Sequence, residues 1–345
     1  MKKVGIIGHY GFGHDLANGQ TIKTKIITKE LEKYIGNSAY KVDVHGGIKI
    51  VVPTIFKTIK SLRCCTNIII MLTENGLKVC VPILAFFNRI FKRKLHYIVI
   101  GGWLAAFLKK NMWLIPCLKK FDCIYVETTT MKNALEELGL KNLVVMPNCK
   151  ELSIVHEKDL KIQFEEPLKL CTFSRVMEEK GIGDAVYAVK KINEMFERVV
   201  FELTIFGQID EKQIDWFEDL KKSFPAYINY GGVVSFDKSV DSLKEYYALL
   251  FPTKFYTEGI PGTIIDAYAA GLPVISSEWE SFSDVVEEGK TGIGYKFADK
   301  EALIETLKFV VLNPNKIIEM KSQCILKANQ YTLEKGTEIL KKALI

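Results

Sequence analysis

Short apolar runs alternate with longer amphipathic segments along the chain of 345 residues. An apolar run followed by a helix-length segment is the pattern of a βα unit, and successive βα units build a parallel sheet. The pattern extends to residue 146 and restarts at 168. It therefore predicts an α/β protein with two Rossmann-like domains, each long enough to bury its own core.

The predicted elements follow one another in a similar order in both halves. The expected strands are 3–7, 41–44, 67–72, 95–100, 123–126 and 143–146, then 168–173, 200–206, 228–230, 249–251 and 273–275. The expected helices are 21–34, 77–91 and 131–138, then 182–195, 214–222, 240–247, 263–270 and 301–311. The polar stretch 147–167, with a proline at each end, is the expected junction, and 315–345 is expected to form two more helices.

The two halves of the chain carry opposite charge. Residues 1–160 hold 24 Lys and Arg against 12 Asp and Glu, a balance of +12, whereas residues 161–345 hold 23 against 29, a balance of −6. A basic half suits anionic lipid headgroups or nucleic acid, or is simply a solvated face. Nucleic acid is disfavoured because the chain has no aromatic-rich basic platform.

Cysteine usage and hydropathy predict a cytoplasmic protein without a zinc site or a membrane span. The eight cysteines form no Cys-x-x-Cys pair, so buried free thiols in a reducing compartment are expected. The apolar runs 79–88 and 95–108 are shorter than the roughly 20 residues of a spanning helix. The N-terminus has no signal-peptide pattern.

Two acids frame the segment that suggests a ligand most strongly. Glu258 stands in a Gly/Pro loop, and Asp266 follows eight positions later on a helix of small residues. The loop acid is placed to meet sugar hydroxyls, and the helix acid can take a ribose diol with two oxygens. The alternative is an ordinary βα unit with incidental acids.

The start of that helix is a predicted phosphate site. Pro261 and Gly262 open the turn, and Thr263 is expected to help cap the helix. The amides near Gly262, Thr263 and Ile264 then carry the positive end of the helix dipole, which favours an anion.

A second basic motif follows the first strand of the second half. Arg175 offers a planar fork for phosphate oxygens, and Lys180 adds a point charge just before Gly181. A surface basic pair is the alternative reading.

These motifs resemble the signature of the retaining, nucleotide-sugar-dependent glycosyltransferases of the GT-B fold, the large Glu-x7-Glu "glycosyl transferases group 1" family of bacterial polysaccharide assembly. The segment that contains Arg175 and Lys180 resembles the Gly/Ser-Arg…Glu-Lys-Gly motif of that family. In the family the Arg and Lys of this motif hold the donor diphosphate. The first acid contacts the donor hexose, as Glu258 would. The second is usually glutamate, so Asp266 is a departure that leaves its ribose contact less secure.

The resemblance implies two domains that face each other across a cleft. Residues 1–155 would bind the acceptor, residues 156–327 would bind the donor, and a helix at about 328–345 would pack back on the first domain. By resemblance, Gly11 and Gly13 would close on the donor phosphate, and Gly207 and Val233 would line the nucleotide pocket.

Acceptor contacts are expected in the first half. His14 follows the glycine loop, and Gly102 and Trp103 follow the strand that begins at His96. Many family members have a histidine at the end of that strand, and this chain has glycine there. Trp103 is therefore either a stacking face for a sugar or part of the core.

The resemblance implies catalysis by Glu258, Arg175 and Lys180 with retention of the donor configuration. No Asp-x-Asp motif is present, so no metal and no cofactor is expected beyond a UDP- or GDP-linked sugar as co-substrate. The apolar and basic segment 77–94 is expected to rest on an anionic membrane, at the inner face of the plasma membrane, where a polyprenyl-diphosphate-linked saccharide would be the acceptor. A nucleotide-sugar 2-epimerase and a catalytically silent binding subunit are the alternatives.

Overall fold

The computed structural model describes residues 2–13, 19–46 and 50–344, which divide into two compact units. Unit 1 comprises residues 1–150 and 333–345, and unit 2 comprises residues 151–332. Each unit contains one parallel sheet of six strands. The prediction of an α/β protein with two Rossmann-like domains is confirmed.

In unit 1 the sheet order is β2-β1-β3-β4-β5-β6. Strand Cys65–Met71 is buried on both faces except at Thr66, and residues 68–71 of this strand form a continuous apolar run. Helices α2 to α6 bury their apolar sides on one face of the sheet, and α1 and α14 on the other. The elements are β1 (Lys2–Gly8), α1 (Gly19–Ile35), β2 (Tyr40–Asp43), α2 (Val51–Cys64), β3 (Cys65–Met71), α3 (Glu74–Phe91), β4 (Lys94–Ile98), α4 (Leu104–Lys110), α5 (Ile115–Leu118), β5 (Cys123–Val126), α6 (Thr129–Glu137), β6 (Leu143–Val145) and, at the end of the chain, α14 (Leu333–Ala343).

In unit 2 the sheet order is β12-β11-β10-β7-β8-β9. One face is covered by α7, α8 and α12, and the other by α9, α10 and α11. The elements are β7 (Leu168–Phe173), α7 (Ile182–Met195), β8 (Phe201–Phe206), α8 (Ile214–Lys222), β9 (Ile228–Gly232), α9 (Ser239–Leu243), β10 (Ala248–Phe251), α10 (Gly262–Ala269), β11 (Val274–Ser277), α11 (Phe282–Val285), β12 (Gly292–Tyr295), α12 (Lys300–Leu312) and α13 (Pro314–Ala328).

The strand order reverses direction once in each sheet, between β1 and β3 in unit 1 and between β7 and β10 in unit 2. The chain runs from β7 outward to β8 and β9, then returns to place β10 on the other side of β7. Ligands of open parallel sheets bind beyond the carboxyl ends of the strands at such a switch point. The loops after β7 and β10 therefore occupy the favoured position in unit 2.

Helices α2, α4, α5 and α11 and strand β12 were missing from the predicted elements. The buried side of α2 consists of Thr54, Thr58, Ser61 and Leu62. These four residues have the spacing of one helix face, but three of them are polar, so the segment lacks the apolar stripe that predicts a helix. Strand β12 reads Gly-Ile-Gly-Tyr, and its two glycines give a weak strand signal. Within the described residues, no helix has the length and apolar character needed to cross a membrane.

Candidate functional site

An ion pair joins the loops after β7 and β10. The Lys180 ammonium donates to Glu258 Oε1, and both side chains are mostly buried, at 19% and 17% exposed. The ammonium also lies 4.8 Å from the ring centroid of Phe255 and 5.7 Å from that of Phe251, within the range of a cation–π interaction. The two motifs predicted from sequence, 78 positions apart, thus meet at the switch point of the sheet.

Glycine at position 181 allows this approach. Its φ is +72°, and a Cβ there would lie 1.8 Å from the carbonyl oxygen of Pro252. Two residues away, the Lys254 amide donates to the Glu179 carbonyl at 2.8 Å. The backbone after β7 is therefore packed directly against the backbone after β10. This contact places Lys180 within ion-pair distance of Glu258.

Thr253 supports the pair from inside the unit. Its side chain is fully buried, and its hydroxyl donates to Glu258 Oε1 at 3.3 Å. Sequence reasoning passed over both Thr253 and Phe255. The only sequence signal for either residue was its position just after a strand that ends at the switch point.

The start of α10 differs in detail from the prediction. The helix begins directly after Pro261, and no side chain caps it. Thr263 is therefore not a cap, and its hydroxyl instead donates to the carbonyl of Phe173 at the end of β7. The Ile264 amide donates to the Pro261 carbonyl at 3.0 Å, so the first turn itself uses one of the three expected phosphate donors. The amides of Gly262 and Thr263 have no acceptor among the described residues.

Arg175 and Gly207 lie on the adjoining loops. Arg175 Nη1 is 3.4 Å from Asp210 Oδ2, and the arginine side chain is 54% exposed. A Cβ on Gly207 would lie 1.8 Å from the Ser174 carbonyl oxygen, so the loop after β8 lies against the loop after β7. The Gly207 amide donates to Gly232 at 2.9 Å, next to the exposed Val233.

Asp266 faces a different part of unit 2. It is buried and lines a cavity of about 610 Å³ whose lining includes neither Lys180 nor Glu258. Much of that lining is acidic: besides Asp266 it contains Glu151, Asp159, Asp237, Asp241 and Glu245. Of the two predicted acids, the cavity lining thus includes Asp266 and not Glu258, and the ribose contact of Asp266 remains a prediction.

In unit 1 the glycine loop after β1 already holds a carboxylate. The amides of Tyr10 and Phe12 donate to the two oxygens of Asp43 at 2.9 Å each, and the His45 amide donates to Oδ1 at 3.0 Å. Burial alone would raise the pKa of Asp43, but these amides outweigh it and lower the pKa. Gly11 and Gly13 have positive φ as expected of a tight loop, but the amides around them serve Asp43.

The predicted acceptor residues have varied surroundings. Trp103 donates its indole N–H to the Ile100 carbonyl at 2.8 Å and packs edge-on against Phe107, with Gly102 buried beside it. His14 lies outside the described residues. His96 is buried in β4, and burial lowers its pKa to about 4.

Within 2–13, 19–46 and 50–344, no group of three or more His, Cys, Asp or Glu side chains is arranged to hold a metal ion. The expectation of a metal-independent site remains a prediction.

Comparison with known proteins identifies the class. Residues 156–343 match the family described as Glycosyl transferases group 1, which is more than half of the chain, and the protein belongs to that family. HepE of Anabaena, solved in complex with UDP and glucose, superimposes with a TM-score of 0.75 over 100% of this chain and 99% of its own, at 13% identity. The fold is therefore GT-B, as predicted.

Two relatives match part of the sequence. The amylovoran biosynthesis glycosyltransferase of Erwinia amylovora is 28% identical over 176 residues, which is 46% of this chain and 40% of that protein. The alpha-monoglucosyldiacylglycerol synthase of Acholeplasma laidlawii is 29% identical over 161 residues, 47% of this chain and 39% of that protein. The match thus spans about two fifths of each relative.

Gly181→Ala is expected to destabilise unit 2 by about 3 kcal/mol. The alanine would have to adopt a left-handed backbone conformation, and its methyl group would clash with the Pro252 carbonyl. Gly183→Ala is the matched control. It lies in α7, where a Cβ would make an ordinary 3.7 Å contact with Trp216, and it should change stability by no more than about 1 kcal/mol. Urea unfolding followed by tryptophan fluorescence measures both, and equal stability of the two variants would contradict the packing described.

Proposed function

We propose that the protein is a retaining glycosyltransferase that moves a hexose from a UDP- or GDP-linked donor to a saccharide acceptor. The observation that carries the proposal is the Lys180–Glu258 pair at the carboxyl ends of β7 and β10. It combines a cation for the donor diphosphate with a carboxylate for sugar hydroxyls at the switch point of the sheet. UDP in the HepE complex supports a uridine nucleotide.

The basic groups suit the charge that the leaving diphosphate gains in the transition state. Lys180 has three N–H donors and gives one to Glu258, so two remain for phosphate oxygens. The free amides of Gly262 and Thr263 add the positive end of α10. Donors held in place before the reaction stabilise such charge most effectively, and Arg175 would add a planar fork from the neighbouring loop.

Glu258 is better suited to binding than to proton transfer. One of its oxygens already accepts hydrogen bonds from Lys180 and Thr253, and the other can accept from sugar hydroxyls. We infer that the leaving phosphate takes the acceptor proton on the same face, which retains the donor configuration. The cationic groups would replace a divalent metal.

Lys180→Ala and Glu258→Ala should each lower nucleotide-sugar hydrolysis by about 100-fold or more, because each removes a group that acts on the transferred hexosyl diphosphate. Lys221→Ala is the control, since Lys221 is a half-exposed lysine that forms an ion pair with Glu218 on α8, away from the candidate site. The assay is release of UDP or GDP from a panel of nucleotide sugars, with and without EDTA. Binding without turnover in the wild type would indicate a silent binding subunit instead, and loss of activity with EDTA would refute metal independence.

The acceptor is proposed to be a lipid-linked saccharide, on a polyprenyl diphosphate, in bacterial capsule, O-antigen or exopolysaccharide synthesis. Support comes from two relatives, one named for amylovoran biosynthesis and one for a diacylglycerol product. Such an acceptor requires the enzyme to work at a membrane, here the inner face of the plasma membrane.

Helices α2 and α3 offer a surface for that contact. They pack against each other and expose apolar pairs at helical spacing, Val52 with Phe56 and Phe86 with Ile90. Exposed basic side chains lie among them: Lys57, Lys60, Arg63, Arg89 and Lys92. Apolar side chains that enter the interface together with cations that meet anionic headgroups are the two components of peripheral binding.

Flotation with vesicles that contain phosphatidylglycerol tests this surface. The wild type should float at low salt, and a Phe56→Ser/Phe86→Ser/Ile90→Ser variant should lose about 90% of the bound fraction, since each buried apolar side chain contributes about 1.5 kcal/mol or more. Leu326→Ser removes a comparably exposed apolar side chain, 61% exposed, from α13 in unit 2 and should float like the wild type. A wild type that stays in the soluble fraction would contradict the membrane proposal.

A further inference from the structure

We propose that Thr253 is a positioning residue that turns the Glu258 carboxylate toward the donor sugar. The inference rests on the proposed function and deepens it, because it says how one oxygen of Glu258 is reserved for substrate. No motif in the sequence pointed to this threonine.

Three hydrogen bonds fix Thr253 in place. Its hydroxyl accepts from the Phe255 amide at 3.1 Å and donates to Glu258 Oε1 at 3.3 Å. Its carbonyl accepts from the hydroxyl of Ser277, at the end of β11, at 2.6 Å. The side chain is fully buried, so water does not compete for these contacts.

The direction of the threonine proton follows from this geometry. A hydroxyl has one proton and two lone pairs. Because the Phe255 N–H can only donate, it occupies a lone pair of Thr253 and leaves the proton for Glu258. The contact is therefore a charge-assisted hydrogen bond to a carboxylate, which is stronger than a hydrogen bond between neutral groups.

Lys180 and Thr253 donate to the same carboxylate oxygen. Both contacts are made to Oε1, and neither donor reaches Oε2. A carboxylate held by a single oxygen keeps the lone pairs of the other for a further donor. The hydroxyl groups of a hexose are such donors, so the arrangement presents Oε2 to the donor sugar.

Without the threonine hydroxyl, Lys180 is the remaining hydrogen-bond donor to the Glu258 side chain among the residues that the structure describes. The ammonium could then engage both oxygens, as ammonium and carboxylate groups do when geometry permits, and Oε2 would be lost to the sugar. The effect is confined to the hexose, because the nucleotide and its phosphates do not depend on Oε2. That separation distinguishes a positioning role from a purely structural one.

Calorimetric titration of the full-length protein with UDP-glucose and UDP, and with GDP-mannose and GDP, tests the inference. Thr253→Val should weaken binding of the nucleotide sugar about 10-fold, the loss expected for one hydrogen bond to a charged group, while affinity for the nucleoside diphosphate changes less than about twofold. Thr253→Ser keeps the hydroxyl and should restore sugar binding. Thr172→Val is the control for the substitution itself, since the buried Thr172 hydroxyl has no partner among the described residues, and it should bind both ligands like the wild type.

The outcomes separate this inference from the proposed function. If Thr253→Val binds the nucleotide sugar as the wild type does, or loses sugar and diphosphate equally, the positioning role is wrong although the donor site stands. If the wild type binds neither UDP nor GDP, the donor site itself is wrong and the positioning role fails with it.

Discussion

The Lys180–Glu258 ion pair is the interaction on which the candidate site depends. It exists because the strand order of unit 2 makes β7 and β10 neighbours, which brings two loops together that are far apart in sequence. Gly181 removes the Cβ that would keep those loops apart, and Phe251, Phe255 and Thr253 surround the pair. A mostly buried pair needs such support, since desolvation of two charges offsets much of their attraction.

The two units meet anions in different ways. In unit 2 the amides of Gly262 and Thr263 at the start of α10 have no acceptor among the described residues, and they are the proposed phosphate donors. In unit 1 the comparable glycine loop is closed by Asp43, a carboxylate of the protein itself. Unit 1 instead carries its positive charge outward, on α2 and α3 beside exposed aromatic side chains. The charge difference between the halves of the sequence thus corresponds to two proposed partners, a nucleotide sugar for unit 2 and a membrane for unit 1.

Patterns that depend on one segment of sequence were predictable. Strand β7 and helix α7 have the predicted bounds, and the motifs that contain Lys180 and Glu258 could be read directly. The missing parts depend on contacts between distant segments. The sequence around Thr253 and Phe255 does not indicate that these residues surround an ion pair with a lysine from another loop. The sequence around Gly11 does not indicate that Asp43, on the next strand, accepts hydrogen bonds from the amides of the glycine loop. Helix α2 was missed for a local reason, because threonine and serine replace the apolar residues that define a buried stripe.

A double-mutant cycle on Lys180 and Glu258 tests the central claim most directly. Affinity for UDP-glucose is measured for the wild type, Lys180→Met, Glu258→Gln and the combined variant. If the two residues act as one unit, the combined loss falls short of the sum of the single losses by about 1 kcal/mol or more. Losses that add within about 0.3 kcal/mol would show that the two residues contribute independently, and would contradict the account.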